Sequence, residues 1–411
     1  MTRSDLPRLL VETREIDPIE DLLAYTDPTH PLVWQRRGAG MVGLGTALSL
    51  TGDGDVSGRW RELAAAAEID DPLRIPGTGL VGFGALTFDP RSTHPGTIVV
   101  PAVVIGRRHG RSWLTTIRTS DAPTPSPRAT EYGPHWSATL GPGAMTPEGY
   151  VAAVRRGLDA IAAGEVSKVV LARDLIGSAP AGADLRRLVR ALSSGYPDTW
   201  AFAVDGLIGA SPETLITVED GIVTARVLAG TAARGADPDA DTAASLALAT
   251  STKDQDEHQF AVRSVLSSLA AHTSALRASE QPFTLKLPNV WHLATDVEGR
   301  LSDAASARDL VAALHPTAAV AGTPTPRARE LIRRLEPFDR GRYAGPVGWI
   351  DAGGSGEWAI ALRCAQFDPG DAVEPIPLTA YAGAGIVAGS DPESELLETR
   401  VKFRPIVDAL A

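Results

Sequence analysis

The residues able to do chemistry gather in a few short stretches. The densest runs Gly383-Ala-Gly-Ile-Val-Ala-Gly-Ser390 and then Asp391-Pro-Glu-Ser-Glu-Leu-Leu-Glu-Thr-Arg-Val-Lys402. Its glycines, at 383, 385 and 389, allow backbone to come close to a ligand. Ser390-x-x-Glu393 reads as a capping box with Pro392 in the first turn, so a helix is expected from here to about Leu410. On that helix Glu395 and Glu398 share a face, and Lys402 lies one turn further on. Two carboxylates near a helix start, beneath a glycine-rich entry, suit a divalent cation and an anionic ligand. A solvated acidic first turn favoured by the helix dipole has the same pattern.

A second acidic helix is expected from Thr252, where Thr252-Lys-Asp-Gln255 has capping-box form. Asp254 and Glu257 lie along one side of it. Two helix beginnings that supply carboxylates are compatible with Mg²⁺, which takes a few carboxylates plus water and substrate oxygens. No histidine spacing suggests zinc or iron.

Of 39 basic side chains only Lys168, Lys253, Lys286 and Lys402 are lysines. Lys168 falls in a β-rich run, 165–174, where alternation places it with Val166, Val170 and Ala172. Burial on such a face lowers the amine's pKa and leaves a base or nucleophile near neutral pH. A lysine snorkelling from a strand start fits the same pattern. Pro212 breaks regular structure and leaves Glu213 at a strand mouth, either a working carboxylate or an ordinary loop one. In the run 357–365, Arg363 is expected on one strand face with Ala359, Ala361 and Ala365. Small neighbours would leave room for a carboxylate above it, although a solvent-facing strand side reads alike. His292 lies in a strand-like segment, 290–295, where a single histidine is usually structural.

Among the supporting elements, residues 1–117 read as short strands punctuated by turns. Gly38-Ala-Gly-Met-Val-Gly43 has a dinucleotide-like glycine spacing, but no helical pattern follows, so hairpin glycines are expected. Residues 118–145, rich in Pro, Ser, Thr and Gly, read as a linker or surface excursion. Helices are expected over 146–164 and 326–335. Strands are expected over 199–204, 214–218 and 222–228. A tight turn is expected at Leu228-Ala-Gly-Thr231, and a glycine-rich hairpin turn over 341–350.

The chain has 411 residues and 44% hydrophobic content, enough for a large globular core. A net charge of −11 without a basic run argues against nucleic acid. The single cysteine, Cys364, excludes an internal disulfide and a Cys-based zinc site. No apolar signal-peptide core and no membrane-length apolar run are evident, so a cytoplasmic protein is expected.

Nine motifs in one order carry a resemblance. They are Lys168-Val-Val-Leu-Ala-Arg173, Gly209-Ala-Ser-Pro-Glu213, Leu228-Ala-Gly-Thr231, Lys253-Asp-Gln-Asp-Glu-His258, His292-Leu-Ala-Thr295, His315-Pro-Thr317, Tyr343-Ala-Gly-Pro-Val-Gly-Trp349, Ala361-Leu-Arg-Cys364 and Gly383 to Ser390. Together they resemble the chorismate-utilising enzymes, and most closely the isochorismate synthases, over residues 146–410. The resemblance implies an α+β fold of two stacked antiparallel β-sheets flanked by helices. Residues 1–145 would form its β-rich first part and 146–411 the chorismate-binding region, as one integrated globule. It implies Lys168 as general base and Glu213 as general acid, with Mg²⁺ held by Glu257 and Glu395 and with Glu398 close by. Thr231, Gly230, His292, Ala319, Tyr343, Arg363, Gly383, Gly385 and Lys402 would contact chorismate. It also implies a monomer with no obligatory glutaminase subunit.

Sister activities remain. Anthranilate synthase large subunits usually lack the base lysine, and aminodeoxychorismate synthase carries a nucleophilic lysine where this chain has Ala229. Salicylate synthase shares Lys168 and Glu213, and Ala319 is the position that separates it from the isochorismate-forming pattern. An inactive chorismate-binding protein is the alternative outside enzymes.

Overall fold

The computed structural model describes residues 6–52, 56–119, 122–123, 126–288, 290–368 and 374–411. Within them two large sheets form. The first, of 13 strands, runs in spatial order Gly141–Pro142, Lys168–Ala179, Ile376–Ile386, Cys364–Phe367, Leu207–Ser211, Trp200–Val204, Leu32–Arg36, Ala39–Leu44, Val103–Arg108, Arg111–Arg118, Leu10–Ile16 and Glu68–Asp70. Gly322–Thr323 adds to the strand Lys168–Ala179. The second, of 10 strands, runs Thr273–Ala278, Val290–Leu301, Ile222–Ala233, Thr214–Glu219, Gly356–Ile360, Pro346–Asp351, Val81–Ala85, Thr97–Val100 and Leu48–Thr51, with Phe283–Lys286 against Val290–Leu301. Pairing is antiparallel except where Leu10–Glu12 runs parallel to Glu68–Asp70.

The sheets face each other across one apolar layer. Trp34 and Phe202 from the first pack with Phe83, Trp349 and Trp358 from the second. Glu357 sits inside this layer and accepts hydrogen bonds from the indole nitrogens of Trp34, 2.9 Å, and Trp349, 3.0 Å, and from Arg108. A second apolar layer lies on the outer face of the larger sheet. It is covered by α3, Arg186–Gly195, by the end of α8, Pro392–Leu410, and by Tyr132 and Trp136. The other helices are α1, Val56–Ala66; α2, Pro147–Ala162; α4, Pro238–Thr250; α5, Thr252–Leu269; α6, Ala307–Leu314; and α7, Thr325–Leu335.

Several local expectations change. Segment 118–145 is no free linker: the Trp136 indole donates to Asp184 O, Gly133 N–H to the Asp184 carboxylate, and Arg186 to Thr130 and Glu131. The cap of α8 is Asp391, which accepts from Ser394 N, because Ser390 turns back to accept from Val387 N. Likewise Ser251, rather than Thr252, caps α5 by accepting from Asp254 N. The segment 228–231 is no tight turn. The strand Ile222–Ala233 continues through it with a bulge at Gly230, whose φ of +80° suits glycine. Residues 346–351 form a full strand, leaving only 340–345 as turn. The hairpin glycines are as expected, Gly38 turning the chain between Leu32–Arg36 and Ala39–Leu44.

Candidate active site

Antiparallel neighbours normally stay in one sheet. Here two of them leave together. The chain passes from the first sheet to the second at Ser211-Pro212-Glu213, and from the second back to the first at Ala361-Leu362-Arg363. Ala210 N donates to Arg363 O at 3.1 Å, Ile360 N to Glu213 O at 3.1 Å, and Ser211 Oγ to Ile360 O at 2.6 Å. The crossings therefore run side by side, and a cavity opens where they part. Arg363 is not on a continuous strand face as expected. Its φ of +49° marks the break between Gly356–Ile360 and Cys364–Phe367, and its side chain is buried. Alternation fails there because the strand ends at Ile360.

The cavity, about 1090 Å³ with its mouth, is lined by Lys168, Glu213, Gly230, Thr231, His292, Ala319, Tyr343, Arg363, Gly383, Gly385, Glu395, Glu398 and Lys402. These are the sequence-derived candidates apart from Glu257, whose side chain lies outside the described residues. Lys253, Asp254, Arg340 and Ser390 line it too and were given no role in the site. Lys253 and Asp254 could have been found, since both belong to a quoted motif. Arg340 carried no local signal.

Each wall has a physical reason. Lys168 opens the strand Lys168–Ala179 and reaches over Gly385 of the neighbouring strand. A Cβ at 385 would lie 2.9 Å from Lys168 Cε, so glycine there makes room for the amine. Thr231 and His292 are register partners, with Thr231 Oγ1 and His292 Nδ1 3.0 Å apart. The Gly230 bulge turns Thr231 inward. Tyr343 stacks on Tyr381 with ring centroids 5.1 Å apart, which holds its ring upright. Lys402 Nζ donates to Gly383 O at 2.9 Å and to Glu398.

Loss of water sets the electrostatics. Burial raises the Glu213 carboxyl to about 7, although Lys168, Arg363 and Lys402 pull it the other way. Burial, with Arg363 and Lys402, lowers His292 to about 3, so its imidazole is neutral. His292 Nε2 is buried with no partner among the described residues. Burial raises Glu395, assisted by the neighbouring Glu398 and opposed by a hydrogen bond from Ser390. Burial pushes Glu398 the same way, but Lys402, Arg363 and Lys168 together outweigh it and the carboxyl is lowered. Two like residues one turn apart are thus driven in opposite directions. Tyr343 and the buried Cys364 are both pushed up by burial and stay protonated.

A cavity combining an amine, a carboxyl held near neutrality and several fixed cations has the chemistry for proton transfer on an acidic small molecule, and it lies between two antiparallel-rich sheets of an α+β fold. The chain belongs to the chorismate binding enzyme family, whose model matches residues 2–411. It is 41% identical over 276 residues to isochorismate synthase DhbC of Bacillus subtilis (strain 168), covering 64% of this chain and 68% of that one. It is 31% identical over 455 residues to the salicylate biosynthesis isochorismate synthase of Pseudomonas aeruginosa, covering 99% and 91%. Its fold matches MenF, the menaquinone-specific isochorismate synthase from Escherichia coli, with a TM-score of 0.79 and 26% identity over 98% of this chain and 95% of that one. No helix among the described residues is long and apolar enough to cross a membrane.

Proposed function

We propose that this protein is an isochorismate synthase, an isomerase that adds water at C2 of chorismate and releases the C4 hydroxyl as water. The observation that carries the reading is one cavity holding both Lys168 and a Glu213 carboxyl raised to about 7, in a chain akin to named isochorismate synthases. Water is a poor nucleophile and hydroxide a poor leaving group, so the reaction needs a base and an acid together. Lys168 would take a proton from the attacking water as its oxygen bonds to C2. The ring double bond would shift as the C4–O bond breaks, and Glu213 would give its proton to the departing oxygen. One water enters and one leaves, so the atoms balance. Arg363 and Tyr343 would hold the enolpyruvyl carboxylate, and Thr231 and His292 would face the leaving hydroxyl. His292, being neutral, can accept a hydrogen bond at Nε2 or donate one there, according to its tautomer.

The residues present fit Mg²⁺. Glu395 and Glu398 are carboxylates one turn apart, drawn out of water, and burial together with Glu398 raises Glu395. Such oxygens are the donors Mg²⁺ prefers. Glu257 and Glu395 would be its ligands, with Glu398 acting through water. When bound it would supply charge neutralisation at the ring carboxylate. Lys168 and Glu213 would still move both protons.

Incubation of the purified protein with chorismate and Mg²⁺ tests the reading. Isochorismate should form, lost with a chelator and restored by Mg²⁺. Salicylate fluorescence as the main signal would reassign the protein to the pyruvate-eliminating activity, and no product at all would remove the enzymatic reading.

A further inference from the structure

The strand that carries Lys168 has a gap along its outer edge. Gly322–Thr323 pairs it at Lys168 and Val169, and Gly141–Pro142 pairs it at Leu175 and Ile176. Among the described residues no strand pairs that edge between Val170 and Asp174. Buried backbone groups left this way must find other partners. Two charged side chains fill the gap. Glu336 accepts a hydrogen bond from Ala172 N at 2.8 Å, and Arg340 donates to Val170 O at 2.7 Å. Both side chains are almost wholly buried and paired with each other, with Arg340 Nε 2.8 Å from a Glu336 oxygen.

The same guanidinium ties down two more walls of the cavity. Arg340 Nη1 donates to Val320 O at 3.0 Å, next to Ala319. Its own carbonyl accepts from Tyr343 N at 2.9 Å, and its guanidinium lies over the Phe88 ring at 4.4 Å. The guanidinium therefore touches the strand of Lys168 and the segment of Ala319 and lies 5.9 Å from the centroid of the Tyr343 ring. A lysine could not replace it, because one ammonium lacks the forked donors that reach three carbonyl and carboxylate sites at once.

We propose that Glu336 and Arg340 are positioning residues for the reaction: a side-chain substitute for a missing strand that fixes Lys168 relative to Ala319 and Tyr343. The inference rests on the isochorismate synthase reading, since it is that reaction whose rate would report the position of Lys168. Neither residue exchanges a proton with substrate. Their contribution is geometry, and displacement of a catalytic group by about 1 Å costs on the order of 10²-fold in rate.

The test uses the full-length enzyme carrying Glu336→Leu with Arg340→Met, and separately Arg340→Lys. Replacing a buried ion pair with apolar residues of similar size often preserves stability, so the double variant is expected to fold. Its thermal midpoint should nonetheless fall, because Ala172 N–H and the Val170 and Val320 carbonyls lose their partners, while kcat, counted per folded molecule, falls on the order of 10²-fold. KM for chorismate should change much less. Arg340→Lys should lie between the two. A purely structural role predicts lowered melting with kcat per folded molecule within about threefold of wild type, and that result in either variant overturns the proposal. If the double variant does not fold, Arg340→Lys decides alone. Wild-type enzyme that fails to convert chorismate would instead sink the parent reading, so the two failures are distinct.

Discussion

Two buried glutamates divide this molecule. Glu357, between the sheets, accepts from two tryptophan nitrogens and from Arg108. Glu213, where the sheets part, accepts no hydrogen bond at its carboxylate among the described residues, and burial holds it near neutrality. Both are similarly hidden from bulk solvent. What separates them is satisfaction. A carboxylate with all its partners is cement, whereas one stripped of water and left without donors is a proton waiting to be used. The contrast teaches that burial alone does not identify a working group.

That comparison can be broken by exchange. Lys168→Ala should have the largest effect, lowering turnover by about 10²–10⁴-fold while chorismate and Mg²⁺ still bind. Product formation followed alongside equilibrium binding checks it, and near wild-type turnover would remove the base assignment. Glu213→Gln should lower kcat by a similar order and leave the melting temperature unchanged or raised, because it removes a desolvated acid. Glu357→Gln should do the opposite. Leaving Arg108 short of its partner should cost roughly 3 kcal/mol of stability, at the low end for a buried pair because Glu219 lies 3.6 Å away. Its kcat per folded molecule should hold, as denaturant melts paired with activity would show.

The pH profile sharpens the point. Glu213 acts as an acid, its pKa is raised to about 7, and it is protonated below that value. So kcat/KM should fall as pH rises through about 7, and that limb should vanish in Glu213→Gln. His292, lowered to about 3, should add no limb between pH 5 and 9. The smallest change is expected from Thr231→Val, which removes the hydroxyl beside His292 Nδ1 and should lower kcat/KM about five- to tenfold, the worth of one hydrogen bond.

Much of this site was legible because its chemistry is local in sequence. Glycines before Ser390, carboxylates one turn apart in α8 and a lysine opening a β-rich run each announce themselves within a dozen residues. The helix caps were off by one, since Ser390 and Thr252 offer the same kind of side-chain acceptor as their neighbours Asp391 and Ser251, and the surrounding structure decides which one caps. Arg363 was misplaced for a deeper reason. Alternation assumes a strand that continues, and nothing in Ala361-Leu-Arg-Cys364 says that the chain changes sheet there. The Gly230 bulge was hidden likewise, because Gly in a strand and Gly in a turn look alike until the partner strand is known. Arg340 was invisible because its importance lies in an edge left bare by strands distant in sequence.

The stitching of the sheets carries a consequence for the first third of the chain. No residue before Lys168 lines the cavity among those described, yet Ala201–Ala203 pairs with Val33–Gln35, and Val347–Asp351 with Val81–Ala85. A catalytic fragment cut at residue 146 would be left with two raw sheet margins, sticky toward copies of itself. The opening segment thus seals both margins, and its own residues can vary wherever that cover is kept.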